Sequence, residues 1–114
     1  MTNNMTNRVH KLPVSLHTEL VKIQLQRLID GGRAERPTIA NLCLGMINLG
    51  LVLCKGEKPS PELLQGEIRE SGGVTVSVSI LSDETTQSKL KQIAENGRQL
   101  SETAMGLIIL ALKR

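Results

Sequence analysis

The sequence predicts a small domain that is mostly α-helical and contains one short two-stranded antiparallel β-ribbon. Residues 74–80 alternate between apolar and polar side chains, which is the period of a strand that buries one face. The order strand, helix, glycine turn, helix occurs twice along the chain. Phe, Trp and Tyr are absent from the 114 residues, so we expect one domain with an aliphatic core.

The second half of the chain shows this order most clearly. Residues 74–80 are the predicted strand, and Ser82 or Asp83 is expected to cap the helix that follows. Gly97 is expected to end this helix, because glycine takes the left-handed conformation found beyond helix C-termini. A second, apolar helix is expected to open with a cap at Ser101. Such a unit of about 40 residues cannot bury its apolar side alone, so it needs a partner.

The first half repeats the order. A strand is expected over residues 11–16, an amphipathic helix over 18–30 and an apolar helix over 37–53. The apolar stripe of the amphipathic helix is expected to consist of Val21, Leu25, Leu28 and Ile29. The helices of the two halves align at an offset of 65 residues and the strands at 64, which indicates an internal duplication. We therefore expect the two strands to pair with each other.

The chain is expected to divide into two units and a linker within a single domain. Residues 1–7 are predicted to be a flexible arm, residues 8–54 the first unit and residues 74–114 the second. Prolines and glycines bound the linker, residues 55–73. We expect the linker to be a passive tether with one or two helical turns after Pro61.

Composition and spacing argue against several classes of protein. The apolar run 39–54 is interrupted and is shorter than the ~18 residues of a membrane span. The sequence contains no catalytic constellation, phosphate-binding loop or dinucleotide-binding turn, so we expect no enzyme and no cofactor. His10 and His17 have no further ligand at metal-binding spacing. Cys43 and Cys54 are expected about 16 Å apart on one helix, too far for a disulfide, and free thiols suit the cytoplasm.

Three short segments resemble known DNA-binding proteins. Residues 94–101, Ala-Glu-Asn-Gly-Arg-Gln-Leu-Ser, resemble the turn between the helices of Arc-type repressors. Residues 81–87 and 12–14 resemble the strand-to-helix joins of tandem proteins that assist conjugative relaxosomes. The chain is therefore similar to the ribbon-helix-helix family. This resemblance implies an intramolecular pseudo-dimer of two ribbon-helix-helix units that share one ribbon.

The resemblance also implies binding to double-stranded DNA, with the ribbon in the major groove where base edges carry distinct donor and acceptor patterns. A net charge of +3 is compatible with such a partner. The outward side chains expected to read bases are Lys11, Pro13, Ser15, Thr75, Ser77 and Ser79. The residues expected to hold phosphates, at or before the second helix of each unit, are Arg33, Arg36, Thr38, Arg98 and Ser101.

The implied role is that of a cytoplasmic protein of bacterial, plasmid or phage origin. It would be a relaxosome accessory protein at a plasmid transfer origin, with a relaxase or another relaxosome protein as a second partner and with further self-association on DNA. Two alternatives stay open. One is transcription regulation as an Arc-type repressor, and the other is a protein-interaction module that kept the helical core without DNA contacts.

Overall fold

The computed structural model describes residues 6–31, 37–94 and 100–113 of the chain. Its elements are β1 (Thr6–Pro13), α1 (Val14–Gly31), α2 (Ile39–Leu53), α3 (Pro61–Glu70), β2 (Thr75–Ser82), α4 (Glu84–Ala94) and α5 (Leu100–Leu112). The expectation of a mostly helical chain with one two-stranded antiparallel sheet is confirmed. Each half contains a strand followed by two helices, and α3 lies between the halves in sequence.

β1 and β2 pair along their full length and form the ribbon. Thr6 lies opposite Ser82 and Pro13 lies opposite Thr75, with the strands antiparallel. Successive side chains alternate between the two faces, and the face that meets the helices buries His10, Leu12, Val78 and Ile80. The expected pairing of one strand from each half is therefore confirmed.

The join between β1 and α1 differs from the expected one. The sequence predicts a strand over residues 11–16, whereas β1 spans Thr6–Pro13 and α1 begins at Val14. Pro13 has no N–H to give to the ladder, so the last position of the strand suits it. Its fixed backbone then leads directly into the helix. The arm predicted for residues 1–7 therefore overlaps β1 at its last two residues.

The buried face of α1 also differs from the predicted stripe. Leu16 and Leu20 are the buried residues of this helix. Leu25 and Ile29, predicted to face the core, leave 49% and 76% of their surface exposed. The helix starts earlier than predicted, so its first two turns cover the core and its C-terminal part extends beyond the core.

The strands of the two halves begin 69 residues apart and the first helices 70 residues apart, in place of the predicted 64 and 65. The offset of 70 aligns Val14 with Glu84, the first residues of α1 and α4. It also aligns Leu20 with Leu90, which are 0% and 2% exposed, whereas the predicted offset pairs Leu90 with the half-exposed Leu25. Aligning Gly32 with Gly97, which both lie outside the described residues, misaligns the helix starts, because Gly32 follows Val14 by 18 residues and Gly97 follows Glu84 by 13.

The second helices of the two halves cross in the centre of the core. Most of α5 is buried, and α2 places Leu42, Cys43 and Ile47 in the same cluster. At the crossing, a Cβ on Gly50 would lie 2.5 Å from the carbonyl oxygen of Leu107, so only glycine permits this approach. The residues of the cluster are aliphatic, apart from the thiol of Cys43, as the composition predicts.

The linker is folded and packed, in contrast to the passive tether expected. α3 spans the ten residues Pro61–Glu70, more than the one or two turns predicted, and Ser60 caps its N-terminus. Leu63 and Leu64 pack against the core cluster. The linker therefore contributes a third helix to the second half of the fold.

Candidate nucleic-acid interface

The exposed face of the ribbon is the candidate nucleic-acid interface, and its Pro13 end borders a pocket that α3 and α5 also line. Its exposed side chains are Asn7, Val9, Lys11, Thr75, Ser77, Ser79 and Leu81. We call this set the outward ribbon face. Lys11 lies opposite Ser77, and Val9 lies opposite Ser79, so the set forms cross-strand pairs along one surface.

Most of the residues predicted to read bases lie on the outward ribbon face. They are Lys11, Thr75, Ser77 and Ser79, and all are exposed. The lysine ammonium donates hydrogen bonds, while the hydroxyls both donate and accept them. β2 keeps its alternation through Leu81, because the strand continues to Ser82. The structure thus brings these groups together as the sequence predicts.

Pro13 and Ser15 lie elsewhere. Pro13 has the outward parity, but it is almost fully buried at the end of β1. Ser15 lies in the first turn of α1, because the helix begins directly after Pro13. The Ser15 hydroxyl donates to Glu67 Oε2 at 2.6 Å, and its backbone N–H donates to Ser71 Oγ at 2.9 Å. Ser15 therefore ties α1 to α3.

Glu67 lies buried at the centre of the contact between α1 and α3 and is 5% exposed. Lys113 Nζ lies 2.6 Å from its second carboxylate oxygen, Oε1. Burial acts to raise the pKa of Glu67, but hydrogen bonds from Lys113 and Ser15 and the Lys113 charge outweigh burial, so the pKa lies below its ordinary value. The same hydrogen bond raises the pKa of Lys113. The contacts link α1 and α3 to the end of α5.

Sequence reasoning missed three members of the outward ribbon face: Asn7, Val9 and Leu81. Ser79 Oγ donates to Asn7 Oδ1 at 2.6 Å across the strands. Val9 and Leu81 are 65% and 51% exposed and add apolar surface to this face. Ile80 and Leu81 are both apolar, so the alternation of residues 74–80 breaks at Leu81 and gave no signal for its outward side chain. Asn7 and Val9 lie in or beside the stretch predicted to be an arm.

His10 links the inner face of the ribbon to the start of α5. Its Nδ1 lies 2.7 Å from Ser101 Oγ, within hydrogen-bond distance. Burial of the ring, followed by the charge of Arg8, lowers the pKa of His10, so the neutral form is favoured. The contact holds the first turn of α5 against the ribbon.

The residues predicted to hold phosphates fall into two groups. Thr38 caps α2 by accepting a hydrogen bond from the backbone N–H of Asn41 at 3.0 Å. Ser101 is exposed in the first turn of α5, which begins at Leu100, so it is not the predicted cap. The arginines predicted for this role, Arg33, Arg36 and Arg98, lie outside the described residues.

The described part of the chain offers little other chemistry. Within residues 6–31, 37–94 and 100–113, no group of three or more His, Cys, Asp and Glu side chains is placed to hold a metal ion. In the same ranges no helix has both the length and the apolar character required to cross a membrane. Cys43 and Cys54 are free, and burial raises the pKa of the Cys43 thiol to about 12.

Comparisons with protein-family models, with curated proteins and with solved structures give no match to this chain. What the chain does is therefore inferred from the outward ribbon face and from the residues that hold the ribbon in place.

Proposed function

We propose that this chain binds double-stranded DNA as a single-chain ribbon-helix-helix protein, with the outward ribbon face in the major groove. The observation that carries the proposal is a solvent-exposed strand face whose other side is fixed on a helical core. A two-stranded ribbon fits the width of the major groove of B-DNA. Lys11 and the hydroxyls of β2 offer donors and acceptors to the base edges.

The ribbon would be shared by two units fused as an intramolecular pseudo-dimer. This is supported by the order of elements, because each half contributes one strand and two helices. The matched burial of Leu20 and Leu90 at the offset of 70 residues supports it further. A single chain would then complete the DNA-reading surface that separate subunits complete in a symmetric dimer.

The preferred DNA site would be asymmetric, because the two strands differ. β1 offers an amide, an isopropyl group and an ammonium group from Asn7, Val9 and Lys11. β2 offers three hydroxyls and the isobutyl group of Leu81. Lysine pairs with guanine O6 and N7, while apolar side chains contact the methyl group of thymine.

Phosphate contacts would come from the starts of the second helices of each unit. The first N–H groups of a helix have no partner within the helix and carry partial positive charge. Thr38 and Ser101 are exposed at these starts, and Arg33, Arg36 and Arg98 precede them in the sequence. Such contacts would set the register of the ribbon in the groove.

In the cell the chain would be a cytoplasmic relaxosome accessory protein that positions DNA at a plasmid transfer origin. This role follows from the resemblance of residues 81–87 and 12–14 to the joins of tandem relaxosome proteins. An Arc-type repressor would use the same face on an operator, so the site favoured by the chain decides between the two roles.

The test is selection of duplex sites from a random library by the full chain, followed by titration of the best site at two salt concentrations. The logarithm of the binding constant is expected to fall by about 0.9 per neutralised phosphate for each unit of log salt. A variant with Lys11→Ala and Ser77→Ala is expected to weaken specific binding about tenfold or more.

The matched control carries Ser88→Ala and Lys91→Ala, which remove the same two side chains from exposed positions on α4. It should bind the selected site as the unchanged protein does. Absence of salt-dependent duplex binding would rule out the proposal and favour a protein-interaction module. Equal loss in both variants would show that the outward ribbon face is not the reading surface.

A further inference from the structure

A pocket lies at the Pro13 end of the ribbon, where the ribbon meets α3 and α5. Its volume is about 370 Å³, which lies within the ~300–1,000 Å³ of small-molecule sites. Apolar side chains from β1, α3 and α5 line it, namely Val9, Pro13, Leu64, Ile68 and Met105. We call it the ribbon-end pocket. Its lining suits the apolar part of a small ligand.

Two side chains of opposite charge also line the ribbon-end pocket. They are Lys11 on β1 and Glu102 in the first turn of α5, and both are exposed. Among the described residues, neither forms an ion pair, with the other or with a third side chain. The pocket therefore offers one ammonium group and one carboxylate to a ligand, beside an apolar lining.

Buried polar contacts hold the walls of the ribbon-end pocket in place. His10 Nδ1 lies 2.7 Å from Ser101 Oγ, which fixes the start of α5 against β1. The Ser15 hydroxyl donates a hydrogen bond of 2.6 Å to Glu67, the neighbour of Ile68 on α3. The pocket is thus formed before a ligand arrives, as small-molecule sites usually are.

We propose that the ribbon-end pocket binds an apolar α-amino acid. Such a ligand carries a carboxylate, an ammonium group and an apolar side chain on one carbon atom, and the pocket has a complement for each. The carboxylate of the ligand would accept hydrogen bonds from Lys11, and its ammonium group would donate to Glu102. Its side chain would lie against the apolar lining, where contact with water is lost.

The ribbon-end pocket overlaps the outward ribbon face, because Val9, Lys11 and Thr75 belong to both. A bound amino acid would occupy the Lys11 ammonium group that the DNA complex uses. We therefore expect the amino acid and the duplex to exclude each other. This second step rests on the proposed DNA binding, whereas the ligand site itself does not.

The test is isothermal titration calorimetry of the full chain without DNA, with L-leucine, L-methionine and L-phenylalanine as probes. We expect saturable binding of at least one of them. The amide of that amino acid lacks the carboxylate, and its deaminated acid lacks the ammonium group. Each of these two analogues is expected to bind about tenfold more weakly, because it loses one charge-assisted hydrogen bond.

Two variants assign the charged contacts to their residues. Glu102→Gln should weaken binding of the amino acid about tenfold and leave the affinity for the deaminated acid unchanged, because that analogue has no ammonium group. Lys11→Gln should weaken binding of the amino acid and leave the affinity for its amide unchanged. Both positions are exposed, so neither change is expected to disturb the core.

The matched control is Glu62→Gln, which makes the same change at an exposed position in the first turn of α3, outside the pocket. It should leave every affinity unchanged. The proposal would be overturned if none of the three amino acids bound saturably, or if both analogues bound as tightly as the amino acid. It would also be overturned if Glu102→Gln and Lys11→Gln each weakened all ligands equally.

Competition with the selected duplex tests the second step. Saturating amino acid is expected to lower the affinity of the unchanged protein for the duplex about tenfold or more. If the chain bound the amino acid but no duplex, the proposed function would fail and the ligand site would stand. If it bound both and the amino acid left the duplex affinity unchanged, the predicted exclusion would be wrong.

Discussion

Val9 and Leu81 are apolar side chains that the outward ribbon face exposes beside its hydroxyls and its lysine. Contact of these side chains with water is unfavourable, whereas their contact with the C5 methyl group of thymine in the major groove would be favourable. Val9 and Leu81 lie in neighbouring cross-strand pairs at one end of the ribbon, so we expect the selected DNA site to contain thymine beside that end. At these positions of the DNA site, Val9 and Leu81 would select thymine through its methyl group, because Lys11 and the serines do not select the base there.

Replacing each such thymine by deoxyuridine removes one methyl group and leaves every hydrogen-bonding group in place. We expect each replacement to lower affinity several-fold, by about 1 kcal/mol or less. Val9→Ala should abolish the sensitivity to the thymine that Val9 contacts but keep the sensitivity to the thymine that Leu81 contacts. Equal binding of thymine and deoxyuridine duplexes by the unchanged protein would show that neither side chain contacts a methyl group.

A second prediction concerns the stability that the Glu67 carboxylate contributes. Its pKa is held below the ordinary value of 4.5, so its contribution to stability is complete at neutral pH and disappears as the pH falls from that value through the lowered pKa. Glu67→Gln is expected to lower the free energy of unfolding by about 1–3 kcal/mol at pH 7. Urea denaturation at neutral and acidic pH measures both effects.

The control for this change is Glu57→Gln, which alters an exposed carboxyl group in the same linker. It should leave the free energy of unfolding at pH 7 nearly unchanged. The difference between the unchanged protein and Glu67→Gln should shrink in acid. A difference that is the same at both pH values would mean that packing, and not the charge of Glu67, provides the stabilisation.

Among the elements, β2 and α4 were predictable because local rules decide them. The alternation of residues 74–80 predicts the strand, and Asp83 caps the helix by accepting a hydrogen bond from Thr86 N at 2.8 Å. The β1–α1 join was not predictable from alternation alone. Leu12, Val14 and Leu16 fit a strand with one apolar face, but Pro13 can also end a strand and begin a helix.

α1 shows a second limit of periodicity. Leu16, Leu20 and Ile23 form one helical stripe, while Leu25 and Ile29 belong to another. Which stripe is buried depends on where the helix begins and on what packs against it, and both are set by residues far away in sequence. The packing of α3 could not be predicted for the same reason, because its leucines pack against the core only where α5 lies beside them.

The crossing of α2 and α5 gives a prediction for these elements. Gly50→Ala is expected to destabilise the fold by about 1–3 kcal/mol, because the new methyl group would overlap with Leu107. Gly45→Ala, in the same helix with no atom within 4 Å of the new Cβ, should stabilise it by about 0.5–1 kcal/mol. Thermal unfolding of both variants measures the contrast. If both variants changed the stability equally, α2 and α5 would lie further apart than in this structure.

At the scale of the whole molecule, a mostly helical chain with one two-stranded antiparallel sheet and the pairing of its strands were predictable, because neither strand can bury its apolar face alone. Three outward residues of β2, Thr75, Ser77 and Ser79, followed from parity and are exposed as predicted, whereas Leu81 was missed. Those of β1 were predicted only in part, since the strand begins at Thr6, inside a polar segment with no alternation. Polar strands of this kind are set by their partner strand and not by their own sequence.

The proposed pseudo-dimer predicts the stoichiometry of the complex with DNA. One chain of 12.4 kDa should occupy one selected site, because both strands of its ribbon are already present. Native mass spectrometry with a duplex that carries a single site should show a complex of one chain and one duplex at the lowest protein concentrations. If every complex with the duplex contained two chains, the ribbon would need a second copy of the chain to bind.

The measurement that tests the central claim most directly is an amide chemical-shift map of the labelled chain with and without the selected duplex. The account predicts the largest shifts along β1 and β2, at Lys11, Ser77 and their neighbours, and small shifts at Leu51 and Val52 on α2. Shifts confined to the helices, with the ribbon amides unchanged, would contradict a ribbon that reads the major groove.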